Sequence, residues 1–204
     1  MIMSNEIKAV IFDFNGVFNE NVEYRIVREG SRRLGCLFVL SCISYFYWHF
    51  AHQTGKLNSF DFWKKVFFSR KKGFEEKEYQ EIVVKEIENA AVRKEMFELL
   101  KKLKKKGMKV FLLSNSAEIL TEVFAKKGFF REFDKVFLSE EIKVMKPFPE
   151  AFRKVLKGTG LKESECLFVD DQIQNTLIAK MMGFRIIKFK NYKKLVKDLK
   201  VFGL

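Results

Sequence analysis

The sequence predicts an α/β fold, in which helices cover both faces of a parallel five-stranded sheet and a helical cap is inserted after the first strand. Five short apolar runs are too continuous for half-exposed strands and indicate buried ones. They span residues 9–12, 110–113, 136–138, 167–169 and 184–189. Helical patterns accompany them from the second run onward, at residues 93–106, 118–127, 149–157 and 172–182. This alternation indicates right-handed crossovers between parallel strands, a Rossmann-like arrangement.

The alternation stops between residue 19 and about residue 91, where the pattern is helical and turn signals occur near Thr54–Gly55, Asn58–Ser59 and Lys72–Gly73. In the sequence, this segment is inserted just after the first predicted strand. We therefore expect residues 1–18 and 92–204 to form the core domain and residues 19–91 to form an inserted helical cap.

One part of the expected cap, residues 34–51, is uncharged and mostly apolar over 18 residues. A helix that is apolar on all sides is normally buried. We expect a helix packed inside the cap or forming a homodimer through it. Eighteen residues is also the lower limit for spanning a bilayer, so membrane contact is the less expected alternative.

Composition indicates a globular protein, since 48% of the 204 residues are hydrophobic and 32% are charged. The net charge of +13 favours anionic partners. Its lysines are spread along the chain as solvated helix faces, so no nucleic-acid partner is expected. The three cysteines have no paired spacing, and residues 1–8 lack an apolar signal core. Both observations predict a cytoplasmic location.

Polar residues follow three of the predicted strands at the point where each strand ends. Asp13 follows the first run, Ser114 and Asn115 follow the second, and Asp170 and Asp171 follow the fourth. Ligands of parallel sheets bind at these carboxyl ends. Carboxylates held together raise one another's pKa, and a hard divalent cation such as Mg²⁺ is the usual reason for placing them so.

A phosphate bound to such a cation also needs donors for its remaining oxygens. Lys146, in the segment MKPFP, is a candidate ammonium, and the amides of Ser114 and Asn115 open a helix that can face an anion. Each signal has an ordinary structural alternative: a turn aspartate, a helix cap or a surface lysine. Their order and spacing carry more weight than any one of them.

Four segments in this order resemble the motifs of the haloacid dehalogenase (HAD) superfamily, across nearly the whole chain. They are VIFDFNGVF (10–18), VFLLSNS (110–116), KPFPEAF (146–152) and LFVDDQIQN (167–175). The insertion after the first motif resembles the branch with a small helical cap, and GKLNSFDFW (55–63) is similar to a cap stretch found there.

The resemblance implies a magnesium-dependent phosphatase that acts on a small phosphorylated metabolite through an aspartyl-phosphate intermediate. Asp13 would be the nucleophile, and Ser114 and Lys146 would bind the phosphoryl group together with Asn115. The implied metal set is Asp13, the backbone carbonyl of Asn15, Asp170 and its acidic neighbour Asp171.

The chain departs from the family pattern at Asn15, where most family phosphatases have an aspartate that protonates the leaving group. An amide cannot exchange a proton, and losing such catalysis typically costs ~10²–10⁴-fold in rate. Four explanations stay open: a leaving group that needs little protonation, a proton from the cap, dehalogenase chemistry, or an engineered substitution. The cap candidates are Glu20, Glu23, His49 and His52.

Two alternatives to a phosphatase remain: a dehalogenase-type hydrolase, and a catalytically impaired member that binds a phosphorylated ligand. Family dehalogenases usually have an aromatic residue at the Asn15 position, which weakens the first alternative. Both histidines are expected to be structural. His49 should be a satisfied, partly buried imidazole in the apolar helix, and His52 a solvated residue at its polar end.

Overall fold

The computed structural model describes residues 6–68 and 73–204. Its five strands form one parallel sheet in the order β3-β2-β1-β4-β5. The strands are β1 Ala9–Phe12, β2 Lys109–Ser114, β3 Lys135–Leu138, β4 Cys166–Asp170 and β5 Arg185–Lys188. Each coincides with a predicted apolar run to within one residue at either end. The turn expected near Lys72 lies outside the described residues.

The sheet is covered on both faces, as predicted. Along β1, Val10 and Phe12 belong to one hydrophobic core, while Ala9 and Ile11 belong to a second core on the opposite face. This division follows from the alternation of side chains along a strand. The larger core also includes apolar residues of the helices that follow β1, so the inserted segment packs on the same face as Phe12. The predicted α/β class is confirmed.

Helices connect the strands. Those between β1 and β2 are α1 Glu23–Leu34, α2 Phe38–Gln53, α3 Ser59–Val66, α4 Glu76–Glu78, a π-helical stretch Tyr79–Val84 and α5 Lys85–Glu88. The remaining α-helices are α6 Lys94–Lys105, α7 Glu118–Lys126, α8 Ser139–Ile142, α9 Pro149–Thr159, α10 Ile173–Met181 and α11 Tyr192–Lys200. Short 3₁₀ helices span Phe129–Glu132 and Glu163–Glu165. The division into core and cap at residues 18 and 91 stays a prediction.

The uncharged run at residues 34–51 does not form one helix. Helix α1 ends at Leu34, and Gly35 follows it in the left-handed conformation with φ +68°. Only after this break does α2 begin. A left-handed residue directly after a helix is typical of glycine, because it lacks the Cβ that opposes this conformation.

The prediction that the cap itself buries this apolar segment is wrong. The buried residues of α2 are Ser41, Tyr45, His52 and Gln53. Its large apolar side chains instead form an exposed apolar face, with relative exposures from 36% to 75%. The members of this α2 apolar face are Leu37, Phe38, Val39, Leu40, Ile43, Phe46, Tyr47 and Phe50.

The polar positions of α2 turn inward because they meet the neighbouring helices and the cavity described below. Ser44 Oγ, for example, donates a 2.8 Å hydrogen bond to the carbonyl of Lys65 at the end of α3. No helix within residues 6–68 and 73–204 has the length and apolarity needed to cross a bilayer.

Candidate active site

The carboxyl ends of three adjacent strands bring Asp13, Ser114 and Asp170 together. Phe12 is in register with Leu112 on one side and with Val169 on the other. Asp13 therefore follows β1 at the level where β2 and β4 end in Ser114 and Asp170. All three side chains are buried. Their common position follows from the register of the parallel sheet.

Lys146 lies between two carboxylates at this edge. Its Nζ is 2.7 Å from Asp13 Oδ1 and 2.8 Å from Asp170 Oδ2, and the residue is only 1% exposed. Burial alone lowers the pKa of Lys146, but the two carboxylates raise it by more, so its net pKa lies above the ordinary value. Lys146 is therefore an ammonium at neutral pH and compensates part of the buried negative charge.

Asn115 holds the main chain of Lys146 in place. Lys146 N donates a 2.8 Å hydrogen bond to Asn115 Oδ1, and Asn115 Nδ2 donates one of 2.8 Å to Lys146 O. These reciprocal bonds occupy both ends of the Asn115 amide. The Ser114 hydroxyl makes only a long contact, 3.4 Å, with the Asn115 carbonyl. The phosphate-binding roles of Ser114 and Asn115 stay predictions.

Asp170 is fixed by donors from the residues after it. Asn175 Nδ2 lies 3.1 and 3.0 Å from the two oxygens of Asp170, and the backbone N–H of Gln172 donates a 2.7 Å hydrogen bond to Oδ1. Asn175 is buried and lies in the first turn of α10. Asn175 belongs to the fourth motif, LFVDDQIQN, but its role in holding Asp170 was not predicted from the sequence.

The carboxylates of Asp13, Asp170 and Asp171 are close enough to share one cation. One oxygen from each lies within 4.8 Å of the others. Asp171 Oδ1 is buried and has no hydrogen-bond partner among the described residues. Hard oxygen donors of this kind suit a divalent cation such as Mg²⁺, so these residues fit a metal site.

Burial raises the pKa of Asp13 to about 7, and the Asp170 charge adds to this effect while Lys146 opposes it. Burial and the charge of Asp170 also raise the pKa of Asp171. A cation bound beside them would favour the ionised carboxylates. The raised pKa values and the close spacing of the three carboxylates both indicate that Lys146 alone does not compensate their negative charge.

Two residues that sequence reasoning missed shape the loop after β1. Gly16 has φ +84°, and a Cβ at this position would lie 2.3 Å from Asp171 Oδ2. Arg93 Nη1 donates to the carbonyls of Gly16, Val17 and Asn19 at 2.9, 3.1 and 2.8 Å. The small residue in FNGV was a readable signal for Gly16. The sequence carried no such signal for Arg93, because the residues that it contacts lie more than 70 positions away along the chain.

Asn15 is engaged at both ends of its side chain. Nδ2 donates to Asn115 O over 3.2 Å, and Oδ1 accepts from Asn19 Nδ2 over 3.2 Å. The amide therefore fixes the geometry of the loop between β1 and the cap.

A cavity of about 540 Å³ opens above these groups, a size that accommodates a small metabolite. At one end it is lined by Asp13, Asn15, Asn115 and Lys146, and the cap contributes the opposite wall. Ser114, Asp170 and Asp171 are not among the residues that line it.

Of the four cap residues considered as proton donors, Glu23 and His49 line this cavity. Glu20 is elsewhere, bonded to Arg25 and to the backbone N–H of Ala91. His52 is also outside the cavity wall, and the prediction that it is solvated is wrong. It is buried because its ring stacks on Phe62 at 3.9 Å, while its Nε2 lies 3.1 Å from Ser59 Oγ.

The expectation for His49 was wrong in one respect. The residue is partly buried, as predicted, but its Nδ1 is buried without a partner in the described part of the chain. Burial lowers the pKa of His49, and the charge of Glu23 opposes that effect. A satisfied core histidine would not leave a buried ring nitrogen unpaired.

Two curated proteins that are similar in sequence to this chain carry phosphatase names. The protein named "Putative phosphatase YhcW" of Bacillus subtilis is 26% identical over 191 residues, which cover 91% of this chain and 84% of that protein. A D-ribitol-5-phosphate phosphatase of Bacteroides thetaiotaomicron is 33% identical over 94 residues, 43% of this chain and 46% of that protein.

Among solved structures, a HAD family enzyme of Bacteroides thetaiotaomicron in complex with magnesium and inorganic phosphate has the same fold. The two superpose with a TM-score of 0.75 and 22% identity, over 93% of this chain and 98% of that one. The family model described as haloacid dehalogenase-like hydrolase matches residues 7–183. These residues include every strand except the last and all the site residues above. The chain belongs to the haloacid dehalogenase-like hydrolase family.

Proposed function

We propose that this hydrolase is a magnesium-dependent phosphatase of small phosphorylated metabolites. The observation that carries the proposal is the buried bridge of Lys146 between Asp13 and Asp170 at the floor of the cavity. In this bridge the Asp13 carboxylate, our proposed nucleophile, lies beside an ammonium and near carboxylate oxygens that suit a metal ion, and phosphoryl transfer needs groups of these kinds.

In the proposed reaction, Asp13 attacks phosphorus, the bond from phosphorus to the alcohol oxygen breaks, and an aspartyl phosphate forms. Water then attacks the same phosphorus, which releases inorganic phosphate and regenerates Asp13. Lys146 stabilises the phosphoryl oxygens throughout, with Ser114 and the backbone of Asn115 as further donors. Splitting hydrolysis in this way replaces one difficult step with two easier ones.

Mg²⁺ would be held by Asp13, the backbone carbonyl of Asn15 and Asp170, with Asp171 beside them, and would neutralise charge that otherwise repels the nucleophile. The carboxylate cluster within 4.8 Å supports this assignment. Asn175 and Gln172 position Asp170 through their hydrogen bonds, and Gly16 allows the Asp13 loop to approach Asp171.

The names of the curated sequence relatives support phosphate esters over haloacids. Two curated relatives carry phosphatase names, and the structural relative was solved with magnesium and inorganic phosphate. The dehalogenase and the non-catalytic binder remain outcomes that the following experiment separates.

The test is hydrolysis of a panel of phosphate esters and haloacids by the wild-type chain and by Asp13→Asn, with Mg²⁺ and with excess chelator. We expect Mg²⁺-dependent phosphate release that Asp13→Asn abolishes. Asp198→Asn, on α11 away from the cavity, is the matched control and should retain activity. Halide release would establish the dehalogenase, and tight phosphate binding without any turnover would establish the binder.

We also propose that the chain forms a homodimer through the α2 apolar face. Ile43 and Tyr47 are 61% and 75% exposed there, and no charged residue occurs between Leu34 and Gln53. Exposed apolar patches of this kind usually mark interaction sites. A second copy fits because a surface without charge is complementary to itself across a two-fold axis.

We further propose a cytoplasmic location, supported by the cysteines. Cys36, Cys42 and Cys166 form no disulfide in the structure, and Cys166 is buried in β4. Cysteines that form no disulfide are usual in reducing compartments. Secretion into an oxidising medium, followed by thiol titration, would reveal any dependence on reduction.

A further inference from the structure

The cap end of the cavity carries a group of polar side chains to which the proposed reaction gives no role in binding the phosphoryl group or the metal. Tyr45, His49 and Gln53 are spaced four residues apart and so lie on one face of α2, while Glu23 faces them from α1. All four line the cavity whose other end holds Asp13. We call Glu23, His49 and Gln53 the cap polar cluster.

Two atoms of this cluster are buried and unpaired. Gln53 is 1% exposed, and its Oε1 has no hydrogen-bond partner in the described part of the chain. The same holds for His49 Nδ1. Buried polar atoms in native proteins are nearly always bonded to protein or to ordered water. Both residues line the cavity, and we infer that a ligand bound there is the partner of these two atoms.

The cluster presents mainly acceptors. Gln53 Oε1 is an amide carbonyl, and Glu23 is a carboxylate. The Glu23 carboxylate interacts with the hydroxyl of Tyr45, and the nearest Gln53 donor is a distant 3.5 Å away. His49 is neutral because burial opposes its charge, and a neutral imidazole with its proton on Nε2 presents Nδ1 as an acceptor. A ligand that satisfies these atoms must bring donors.

We propose, resting on the phosphatase function above, that the cap polar cluster binds the leaving group of the substrate and that this group carries hydroxyl or ammonium donors. Both classes satisfy the same acceptors, and an ammonium would also compensate the charge of Glu23. An apolar leaving group would fill the same volume and leave Gln53 Oε1 and His49 Nδ1 buried and unpaired. The cluster therefore selects against simple alkyl esters.

The experiment compares three phosphate esters of similar size: glycerol phosphate, phosphoethanolamine and butyl phosphate. The variants are Gln53→Met and His49→Phe, which remove the acceptors while keeping bulk, and Glu23→Gln, which removes the charge. Gln80→Met repeats the first change on an exposed residue outside the cavity. For each variant, kcat/KM is measured on all three esters, together with inhibition by inorganic phosphate.

We expect Gln53→Met and His49→Phe to lower kcat/KM by about tenfold on the esters that carry donors, and by much less on butyl phosphate. Inhibition by inorganic phosphate should not change, because it reports the Asp13 end of the cavity. If the natural leaving group is cationic, Glu23→Gln will affect phosphoethanolamine most. If it is hydroxylated, glycerol phosphate will be the better substrate and will lose activity to all three variants.

An equal loss on all three esters, or no loss on any, would overturn the inference while leaving the phosphatase function standing. If the wild-type chain hydrolyses none of these three alkyl esters but does hydrolyse aryl esters, the phosphatase function stands; if it hydrolyses no ester of the wider panel above, the proposed function fails instead. The inference is then tested by calorimetric binding of the same esters, with the same variants and the same expected preference for donor-bearing groups. A preference for butyl phosphate in binding would overturn it.

Discussion

Lys146 Nζ lies 2.7 Å from Asp13 Oδ1, and both side chains are almost completely buried. A bridge in this position has two consequences. It favours the ionised form of the carboxylate proposed as the nucleophile, and it keeps an ammonium where phosphoryl oxygens would bind. Removing Lys146 should therefore affect both the stability and the chemistry of the site.

We predict that Lys146→Met lowers the free energy of unfolding by about 3–5 kcal/mol in the absence of metal, because two buried carboxylates lose their counterion. Mg²⁺ should restore part of that loss, since it binds the folded state and supplies positive charge at the same place. Turnover should fall by ~10²–10³-fold even with saturating Mg²⁺. Urea denaturation with and without Mg²⁺, together with steady-state kinetics, measures all three effects.

Lys157→Met, an exposed lysine on α9, is the control and should leave both quantities nearly unchanged. Equal destabilisation by the two lysine substitutions would show that the buried bridge has no special role. A Lys146→Met variant of undiminished activity would remove it from the proposed mechanism.

Asn15→Asp should increase hydrolysis of alkyl phosphates, whose leaving groups need a proton. In the structure, Asn15 Nδ2 donates to the carbonyl of Asn115. An aspartic acid at this position can keep that bond only when protonated, which raises its pKa and suits it to act as an acid. We expect kcat/KM to rise at least about tenfold on alkyl esters and to change little on aryl esters, because an aryl leaving group departs without being protonated.

A plot of log kcat/KM against leaving-group pKa should be steep for the wild-type chain and flatter for Asn15→Asp. A flat plot for the wild type, without any gain from the substitution, would mean that another group already supplies the proton. Glu23 and His49 are then the residues to mutate, because of the four cap candidates they line the cavity. Complete loss of activity in Asn15→Asp would argue against the phosphatase.

Buried His52 should make stability depend on pH in a defined window. Burial, with a smaller effect from His49, lowers the pKa of His52 to about 3, whereas an unfolded histidine has a pKa of about 6.5. Above pH ~6.5 neither state is protonated at this residue. Below that pH the unfolded chain binds a proton that the folded chain excludes. As the pH is lowered below ~6.5, the free energy of unfolding therefore falls by about 1.4 kcal/mol for each pH unit, until the pKa of His52 in the folded chain is reached.

The measurement is the free energy of unfolding of the wild-type chain minus that of His52→Gln, between pH 7 and pH ~4.5. A glutamine retains a group that can reach Ser59 but does not titrate. The difference should decline by about 2–3 kcal/mol across this range. Parallel pH profiles for the two proteins would show that His52 is protonated as easily when folded as when unfolded.

The sheet and the positions of Asp13, Ser114 and Asp170 were predictable because each depends on local pattern. A continuous apolar run identifies a buried strand, and the strand's end determines where the next polar residue lies. Parallel register then brings those ends together without further information. The alternation of Val10 and Phe12 against Ala9 and Ile11 on the two faces of β1 follows from the same strand geometry.

Contacts that depend on distant parts of the chain were not predictable in this way. Lys146 is oriented by Asn115, which is 31 positions away, and the loop at Gly16 is held by Arg93, 77 positions away. The exposure of Ile43 and the burial of Gln53 were also missed. Hydrophobicity alone predicts the reverse for both residues, but the inward side of α2 faces a polar cavity.

The exposed side of α2 leads to the last prediction, that the chain is a dimer whose interface contains Ile43. We expect Ile43→Glu to produce a monomer. Across a two-fold interface the substitution introduces two buried charges, so even 1.4 kcal/mol for each would raise the dissociation constant about 100-fold. Val201→Glu places the same charge on a residue that is 81% exposed near the chain's end, and this control should remain a dimer.

Light scattering over a range of protein concentrations distinguishes the two states, and hydrogen exchange should show protection of α2 in the wild type that Ile43→Glu removes. A wild-type chain that is monomeric at every concentration would contradict the predicted dimer. An Ile43→Glu variant that still dimerises would show that the interface does not lie on α2. Because Ile43 does not line the cavity, the monomeric variant should keep its hydrolytic activity, which separates assembly from catalysis.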